Sequence, residues 1–398
     1  MKNISLLKLN NQRLREILFF LAVLLLVILP KGGIKIAGIP LTWGYLYLGF
    51  LLILSAFVIG SKYRFAVNSK HFMCLIATIP FVVYFSLHLL IFGYDGSMGN
   101  FIAFYISFVF LPFLFYIIFG YFLARINIDY IEKLISNAVF IVALYGIFLF
   151  IYKQYTGHFL EIPYITVNAG DLGELAGSKF NRRGSVSKLI STYNNGNIFG
   201  VCTLMLFPVF YRRSTSKFKI FIVILALILT LSRTVWIGLI FYFLLNYRNK
   251  LQQLAKVYLA GAVLLFLISS FLMTRYFQYG SLEGFILDSN LGGRILQIRK
   301  INEITLFGNV PYKIIEEIVY LSIFRQLGIV GLLLFCVSFF APVYIFFQTR
   351  NNNQVYLLGI LTYLFICFSD GCMLLIPTLV FFYFICTMAF ISQNRTKE

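Results

Sequence analysis

An arginine stands inside a strongly apolar part of the chain. The segment LSRTVWIG, residues 231–238, places Arg233 between two apolar runs. A charge held below the headgroup level of a bilayer is costly, and such a residue usually faces a wet cavity or a bound anion. Its planar guanidinium matches phosphate and pyrophosphate through paired N–H donors. We therefore expect Arg233 to contact an anionic substrate; the alternative is that it reaches the membrane interface beside Trp236.

Other cations lie in two polar stretches of the chain. Arg182 and Arg183 precede an amide-rich turn, whereas Arg294, Arg299 and Lys300 follow a pair of glycines. Several arginines at one face suit an anion that carries more than one charge. The sequence has no Asp-rich cluster to hold a divalent ion, so arginine would neutralise the charge on a leaving pyrophosphate.

Amides and carboxylates stand beside these cations. Asn195 and Asn197 lie at the mouth of a predicted helix. The free backbone N–H groups of a helix start suit an anion or sugar hydroxyls, and the alternative is an ordinary capped helix start. Glu316 and Glu317 precede a later apolar run. Glu317 is a candidate to take a proton from a sugar hydroxyl, whereas for Glu316 we prefer a solvated helix N-terminus.

The run that follows Glu317 predicts a helix with one distinctive face. At 100° per residue, Glu317, Tyr320, Gly328 and Gly331 project within about 60° of one another. This face would carry a carboxylate at its wet end and allow close helix contact below it. Arg325 lies about 80° from Glu317 on the same wheel. We expect Arg325 either to pair internally or to line the same cavity.

Composition identifies the class of protein. The 398 residues are 60% hydrophobic and 12% charged, with a mean hydropathy of +0.88, which is typical of a membrane protein. We expect an all-α, polytopic protein with a single integral membrane domain over residues 1–398. The net charge of +19 does not indicate nucleic-acid binding, because most Lys and Arg residues lie in short clusters between apolar runs. The cysteines and histidines lack metal-ligand spacing, so we expect no metal site.

About twelve spans fit the apolar runs at roughly 20 residues per crossing. The predicted helices are residues 14–31, 41–60, 72–92, 101–124, 134–153, 196–211, 220–232, 234–247, 256–273, 318–347, 354–369 and 373–391. Larger extracytoplasmic loops are expected at about 154–195 and 274–317. Basic clusters before the first span and after the second, sixth and eighth fall on one side, which makes both termini cytoplasmic, although Lys31 and Lys35 then lie outside.

The charge rule also predicts how the chain passes Arg233. A single helix over residues 220–247 would put the basic clusters that flank it on opposite sides of the membrane. We therefore expect two short legs that go out and back, with a recessed turn at Arg233. Each leg would span roughly 20 Å at 1.5 Å per residue, less than a hydrocarbon core of about 30 Å.

Four segments resemble the O-antigen polymerase and O-antigen ligase superfamily, bacterial membrane proteins that transfer glycans from a polyprenyl pyrophosphate carrier. STYNNGNIFG (191–200) is similar to Gly-Thr-Phe-x-Asn-Pro-Asn-x-Phe-Gly, and LTLSRTVWIG (229–238) to Leu-Ser-x-Ser-Arg-Gly-x-Trp-x-Gly. GGRILQIRKINEITLFG (292–308) resembles an arginine followed by Pro-Leu-Phe-Gly, and EIVYLSIFRQLGIVG (317–331) resembles His-Asn-x-Tyr-Leu followed by Gly-x-x-Gly. The matching residues are Asn195, Asn197, Arg233, Arg294, Gly308, Tyr320, Gly328 and Gly331.

The resemblance implies a bacterial inner-membrane enzyme with a glycosyltransferase-C type helical fold and no metal or cofactor. It would join polyprenyl-pyrophosphate-linked oligosaccharide repeat units into a surface polysaccharide, with a flippase and a chain-length regulator as partners. The ligase pattern has histidine where this chain has Glu317, which favours a polymerase. The alternatives are a ligase that transfers the glycan to another acceptor, and a transporter of lipid-linked oligosaccharide.

The resemblance and the residue chemistry together assign roles. We expect Arg233 and Arg294 to bind the pyrophosphate and Glu317 to act as a base or to position the acceptor. Residues expected to bind substrate are Arg182, Arg183, Asn195, Asn197, Arg299, Tyr320 and Arg325.

Overall fold

The computed structural model describes residues 2–36, 39–60, 67–178, 181–183, 186–248, 294–299, 305–313, 315–349, 353–374 and 376–391. The predicted span at 256–273 lies outside these residues, and so do residues 274–293, 300–304 and 314 of the loop predicted at about 274–317.

The described chain is mostly helical. Its main helices are α1 (Lys2–Val23), α2 (Trp43–Gly60), α3 (Ser69–Phe92), α4 (Met98–Tyr105), α5 (Ile128–Thr156), α6 (Gly196–Arg213), α7 (Lys217–Leu229), α8 (Arg233–Tyr247), α9 (Arg294–Arg299), α10 (Val319–Gln348), α11 (Gln354–Ile366) and α12 (Thr378–Ala389). The π-helical turn Leu24–Ile28 extends α1, and alternating π- and α-helical turns continue α4 to Leu123.

The helices are those of a membrane-embedded protein. Among the described residues, four helices are long and apolar enough to cross a membrane: Ser69–Phe92, Phe101–Leu123, Ile128–Thr156 and Val319–Gln348. Large hydrophobic side chains also point outward, and Leu90 on α3 is 82% exposed. One face of α3 carries a row of them, and a contiguous apolar surface of this kind marks contact with a membrane or another protein. The exposed residues of this row are Phe72, Ile76, Ile79, Val83, Leu87 and Leu90.

The prediction of about twelve spans is wrong by this criterion, since four described helices meet it. Several predicted spans are too short when folded. The helices α11 and α12 have 13 and 12 residues, so they rise only about 18–20 Å against a hydrocarbon core of about 30 Å. Hydropathy located these apolar runs, but turns and loops take up part of each run.

The all-α prediction holds for the helical core and omits two small hairpins. Strand β1 (Gly33–Ile36) pairs antiparallel with β2 (Ile39–Thr42), and β3 (Arg182–Arg183) pairs antiparallel with β4 (Val186–Ser187). The first hairpin contacts the long loop after α5, because the Asn168 side chain donates to the Ile34 carbonyl at 2.9 Å. Lys35, in β1, forms an ion pair with Asp171 at 2.7 Å.

The chain reverses direction at Arg233, and the charge rule predicts such a reversal. Helices α6 and α8 run parallel. Phe207 of α6 packs on Tyr242 of α8 near the middle of both helices, and the hydroxyls of Tyr211 and Tyr247 meet near both carboxyl-terminal ends. Helix α7, which joins them in the chain, runs back along α5, and its last carbonyl, at Leu229, accepts from the Leu189 backbone N–H ahead of α6. With 13 and 15 residues, α7 and α8 rise only about 20 and 22 Å. The turn that joins them, Thr230–Ser232, is therefore short of a full crossing.

Gly328 breaks α10 at the point where the helix meets Gly308 of the preceding loop. Gly328 has φ 72° inside the helix, and Gly308 has φ 69°. A Cβ on Gly328 would lie 2.5 Å from the backbone nitrogen of Gly308, so the two backbones touch. The loop supplies acceptors to the helix beyond the break, since Ile329 N–H donates to the Thr305 carbonyl at 3.1 Å.

The predicted helical face from Glu317 to Gly331 is therefore wrong. The helix begins at Val319, after Glu317, and the break at Gly328 changes the angular relation of the residues on either side. The projection at 100° per residue assumed one continuous helix. Because glycine has no Cβ, the backbone can leave the helical conformation at Gly328 and approach Gly308 closely.

Replacing Gly328 with alanine should lower the free energy of unfolding by about 2–3 kcal/mol, because its backbone conformation and its contact with Gly308 both exclude a Cβ. Thermal unfolding of the purified protein in detergent measures this. Gly49 in α2 is the matched control, since a Cβ there meets no atom within 4 Å. Gly49→Ala should leave stability unchanged or raise it by up to about 1 kcal/mol. Equal effects at the two glycines would contradict the prediction.

Candidate functional site

A cluster of polar side chains surrounds Arg294 at one end of the helices. The side chain of Arg294, the first residue of α9, is only 16% exposed. Its Nη2 atom lies 3.2 Å from Glu317 Oε2 and 3.6 Å from Asp370 Oδ2. Its Nε donates to the Ser369 carbonyl at 2.9 Å. We call Arg294, Glu317, Asp370, Asn197, Thr234 and Ser369 the Arg294 cluster.

Asp370 was missed by the sequence analysis and is the most buried carboxylate of this cluster, 3% exposed. It lies just after α11, and its backbone N–H donates to the Ile366 carbonyl at 2.9 Å. The Asn197 side-chain amide donates to Asp370 Oδ2 at 2.6 Å, and the Cys372 thiol donates to Oδ1 at 3.2 Å. The only sequence signal was a lone acid in the short loop SDG on the predicted outer side.

Glu317 is placed to accept a proton. Its Oε2 atom is buried and accepts no hydrogen bond from the described residues, although it is paired by charge with Arg294. Burial raises the pKa of Glu317, and the nearby Asp370 raises it further, whereas Arg294 and Lys188 lower it. A raised pKa makes the carboxylate a stronger base near neutral pH. Lys188, at the end of the first long loop, is a second residue that sequence reasoning missed.

The turn at Arg233 borders the cluster through its neighbour. The Thr234 hydroxyl lies 2.9 Å from the Ser369 hydroxyl and 3.5 Å from Arg294 Nη2. Arg233 begins α8 next to this contact, and its side chain is half-buried. The Trp236 indole donates to the Ile228 carbonyl at 3.0 Å, which braces the turn. The structure thus brings the start of α8 and Arg294 to the same place.

The two asparagines have different tasks. Asn195 caps α6, since its Oδ1 accepts from the backbone N–H groups of Asn197 and Ile198. This is the ordinary cap that stood as the alternative to substrate binding. Asn197 joins the Arg294 cluster through Asp370, and its own Oδ1 is buried without a hydrogen-bond partner among the described residues.

Two other predicted substrate-binding residues, Arg325 and Tyr320, have described partners outside the Arg294 cluster. Arg325 pairs internally, with its Nη2 2.9 Å from Glu316 Oε1, and this replaces the solvated N-terminus that we expected for Glu316. The Tyr320 hydroxyl donates to the Leu364 carbonyl at 2.8 Å, so Tyr320 joins α10 to α11. Their predicted contact with substrate stays a prediction.

The remaining arginines are only partly described. Arg182 is exposed in β3. Arg183 pairs with Val186 through the backbone of the β3–β4 hairpin. The side chains of Arg183 and Arg299 lie outside the described part of the structure, and so does Lys300.

The cluster combines a partly buried arginine, two carboxylates and two oxygen atoms, on Glu317 and Asn197, that accept no hydrogen bond from the described residues. One guanidinium between two carboxylates is held in a fixed orientation, and a polyanionic ligand would compete for the same N–H donors. The carboxylates can accept a proton or orient a hydroxyl group. No protein-family model matches this chain, and no curated protein matches it.

Proposed function

We propose that this protein joins polyprenyl-pyrophosphate-linked oligosaccharide repeat units into a surface polysaccharide. One observation carries the proposal: each of the four segments that resemble the O-antigen polymerase superfamily contributes a residue to the Arg294 cluster. These residues are Asn197, Thr234, Arg294 and Glu317. Segments scattered over much of the sequence therefore converge at one place, as a shared site requires.

In this proposal Glu317 receives the proton of the attacking sugar hydroxyl. The hydroxyl oxygen forms a new bond to the anomeric carbon of the donor sugar as the bond from that carbon to the pyrophosphate breaks. The bonding electrons leave with the pyrophosphate, and its added charge is stabilised by Arg294 together with Arg233. The unsatisfied Oε2 of Glu317 and its raised pKa support this role.

Asp370 has a positioning role in the same proposal. Its carboxylate holds Asn197 at 2.6 Å and lies 3.6 Å from Arg294, so it fixes both groups before substrate arrives. Its negative charge also keeps Glu317 basic. Asp370 therefore acts on both Arg294, which would stabilise the leaving pyrophosphate, and Glu317, which would accept the proton of the nucleophile.

The proposal includes the cellular setting. The enzyme would lie in the inner membrane of a bacterium, with both termini cytoplasmic and the Arg294 cluster on the outer face. Its helical fold would be of the glycosyltransferase-C type, and a flippase and a chain-length regulator would be partners. The excess of Lys and Arg in the loops at one side supports this orientation.

Purified protein given one defined polyprenyl-pyrophosphate repeat unit should produce a ladder of longer lipid-linked glycans, with EDTA present and no nucleotide sugar added. Gel separation and mass spectrometry of the products measure the ladder. Absence of any product longer than one unit would contradict the polymerase. Transfer of a single finished glycan to a non-carrier acceptor would identify a ligase instead.

A further inference from the structure

Residues 305–308 of the second long loop lie well below the ends of two helices, and we call them the dip. The Tyr84 hydroxyl of α3 donates to the Phe307 carbonyl of the dip at 2.6 Å and to the Leu327 carbonyl of α10 at 2.8 Å. Tyr84 is eight residues before the end of α3, and Leu327 is eight residues after the start of α10. At 1.5 Å per residue, both helices place this contact about 12 Å below their ends.

These two helix ends are on the same side of the molecule. The Ser338 hydroxyl of α10 donates to the Thr78 hydroxyl of α3 at 3.2 Å. This contact comes before the first one along α3 and after it along α10, so the two helices run antiparallel. The chain then rises from the dip, because the Tyr312 N–H donates to the carbonyl of Gly93, just beyond α3, at 3.2 Å. The five residues that follow Phe307 can extend over about 17 Å, which is enough for this rise.

The backbone of the dip is paired with the two helices. The N–H groups of Ile329 and Val330, just beyond the break in α10, donate to the Thr305 and Leu306 carbonyls at 3.1 and 3.0 Å. The next carbonyl, that of Phe307, is the one that accepts from α3. Irregular backbone is tolerated at membrane depth only where its polar groups are satisfied by protein or by water in a cavity. Three successive carbonyl groups of the dip meet this condition.

The side chains of the dip extend an apolar surface. Leu306 and Phe307 are 53% and 58% exposed. They stand beside α3 and α10, which are both long and apolar enough to cross a membrane. Outward-facing residues on nearby turns of these two helices are Val83, Leu87, Ile329 and Leu333. The chain has no charged residue from position 305 to position 312. The exposed face of the dip therefore continues the faces that two spanning helices present to lipid.

We propose that the dip is a re-entrant segment in the outer half of the membrane, with Leu306 and Phe307 in contact with lipid acyl chains. The 24 residues of α3 rise about 36 Å, roughly 3 Å more than a 30 Å hydrocarbon core at each end. The dip then lies about 9 Å inside the hydrocarbon. It separates Arg294 from Glu317 in the chain, so the bilayer would restrain the loop that joins them. The inference does not depend on the proposed function.

Spin labelling tests this location in protein reconstituted into liposomes. A nitroxide attached to the variant Phe307→Cys should collide readily with oxygen, which dissolves in hydrocarbon. Its collision rate with a water-soluble nickel chelate should be about tenfold lower than at Lys313→Cys, because entry of a polar solute into hydrocarbon is costly. Lys313 is the matched water-exposed control on the same loop. Val83→Cys is the control for depth, since Val83 is exposed on α3 next to Tyr84, and it should give the same values as Phe307→Cys.

The two collision rates distinguish the alternatives. Ready access of the chelate to Phe307→Cys would place the dip in water and overturn the proposal. Low access of both reagents would also overturn it, because the segment would then be covered by protein, such as a second copy of this chain. Leu306→Cys provides a second position if Phe307→Cys does not fold. Unsubstituted protein treated in the same way gives the background from its own cysteines, of which Cys336 is partly exposed.

Discussion

Replacing Arg294 with alanine should lower polymer synthesis about 100- to 1,000-fold per molecule of folded protein. The guanidinium would no longer stabilise the leaving pyrophosphate, and loss of one such preorganised donor has this magnitude in other enzymes. The change would also leave Glu317 and Asp370 without the cation that both contact. Initial rates of ladder formation by purified variants measure the loss.

A lysine variant shows whether the geometry of the Arg294 guanidinium matters or only its positive charge, and a variant at a different lysine is the control. Arg294→Lys should recover only part of the activity, since an ammonium cannot donate from Nε to Ser369 and from Nη2 towards both carboxylates. Lys313→Ala is the matched control, because Lys313 is an exposed cation paired with Asp95 at 2.6 Å and should lose no activity. Full activity of Arg294→Ala in folded protein would eliminate the proposed role of this residue.

Removing Arg212 and Arg213 together should destabilise the fold by about 3 kcal/mol. These residues end α6, and both pair with Glu132 on α5, where Arg213 Nε lies 2.7 Å from Oε2. Glu132 is only 2% exposed, and its other described partner is the Tyr356 hydroxyl at 3.0 Å. The double variant would leave a buried carboxylate without a cation, which is far more costly than loss of a surface pair. Thermal unfolding in detergent gives the comparison.

Neutralising the carboxyl group of Glu132 tests why the double variant of Arg212 and Arg213 loses stability. Adding Glu132→Gln to the double variant should restore most of the lost stability, because no buried charge then remains unpaired. Lys133→Ala changes an exposed cation next to Glu132 on the same helix and should have little effect. If the added Glu132→Gln lowers stability further, the loss arises from packing of the arginine side chains and the electrostatic explanation is wrong.

The sequence analysis found several members of the Arg294 cluster and missed others. Arg294, Glu317 and Asn197 stood out because they lie in segments that resemble a known family. Asp370, a member of the cluster, and Lys188, whose charge acts on Glu317, were both missed, since a lone charged residue in a loop carries no local pattern. The sequence left open whether Arg325 pairs internally or lines the expected substrate cavity. The structure shows an internal pair with Glu316. Each decision depended on residues that are distant in sequence.

Local patterns determined the class of this protein. Apolar runs predicted membrane helices, and the spacing of basic clusters predicted the turn at Arg233, because burial in lipid and charge at its surface depend on short stretches of chain. Tertiary structure alone decided that Arg294 meets Asp370 and that Gly308 meets Gly328. Such contacts depend on how whole helices pack against one another. The hydrophobic periodicity of one segment does not predict which side chains of a distant segment it will contact.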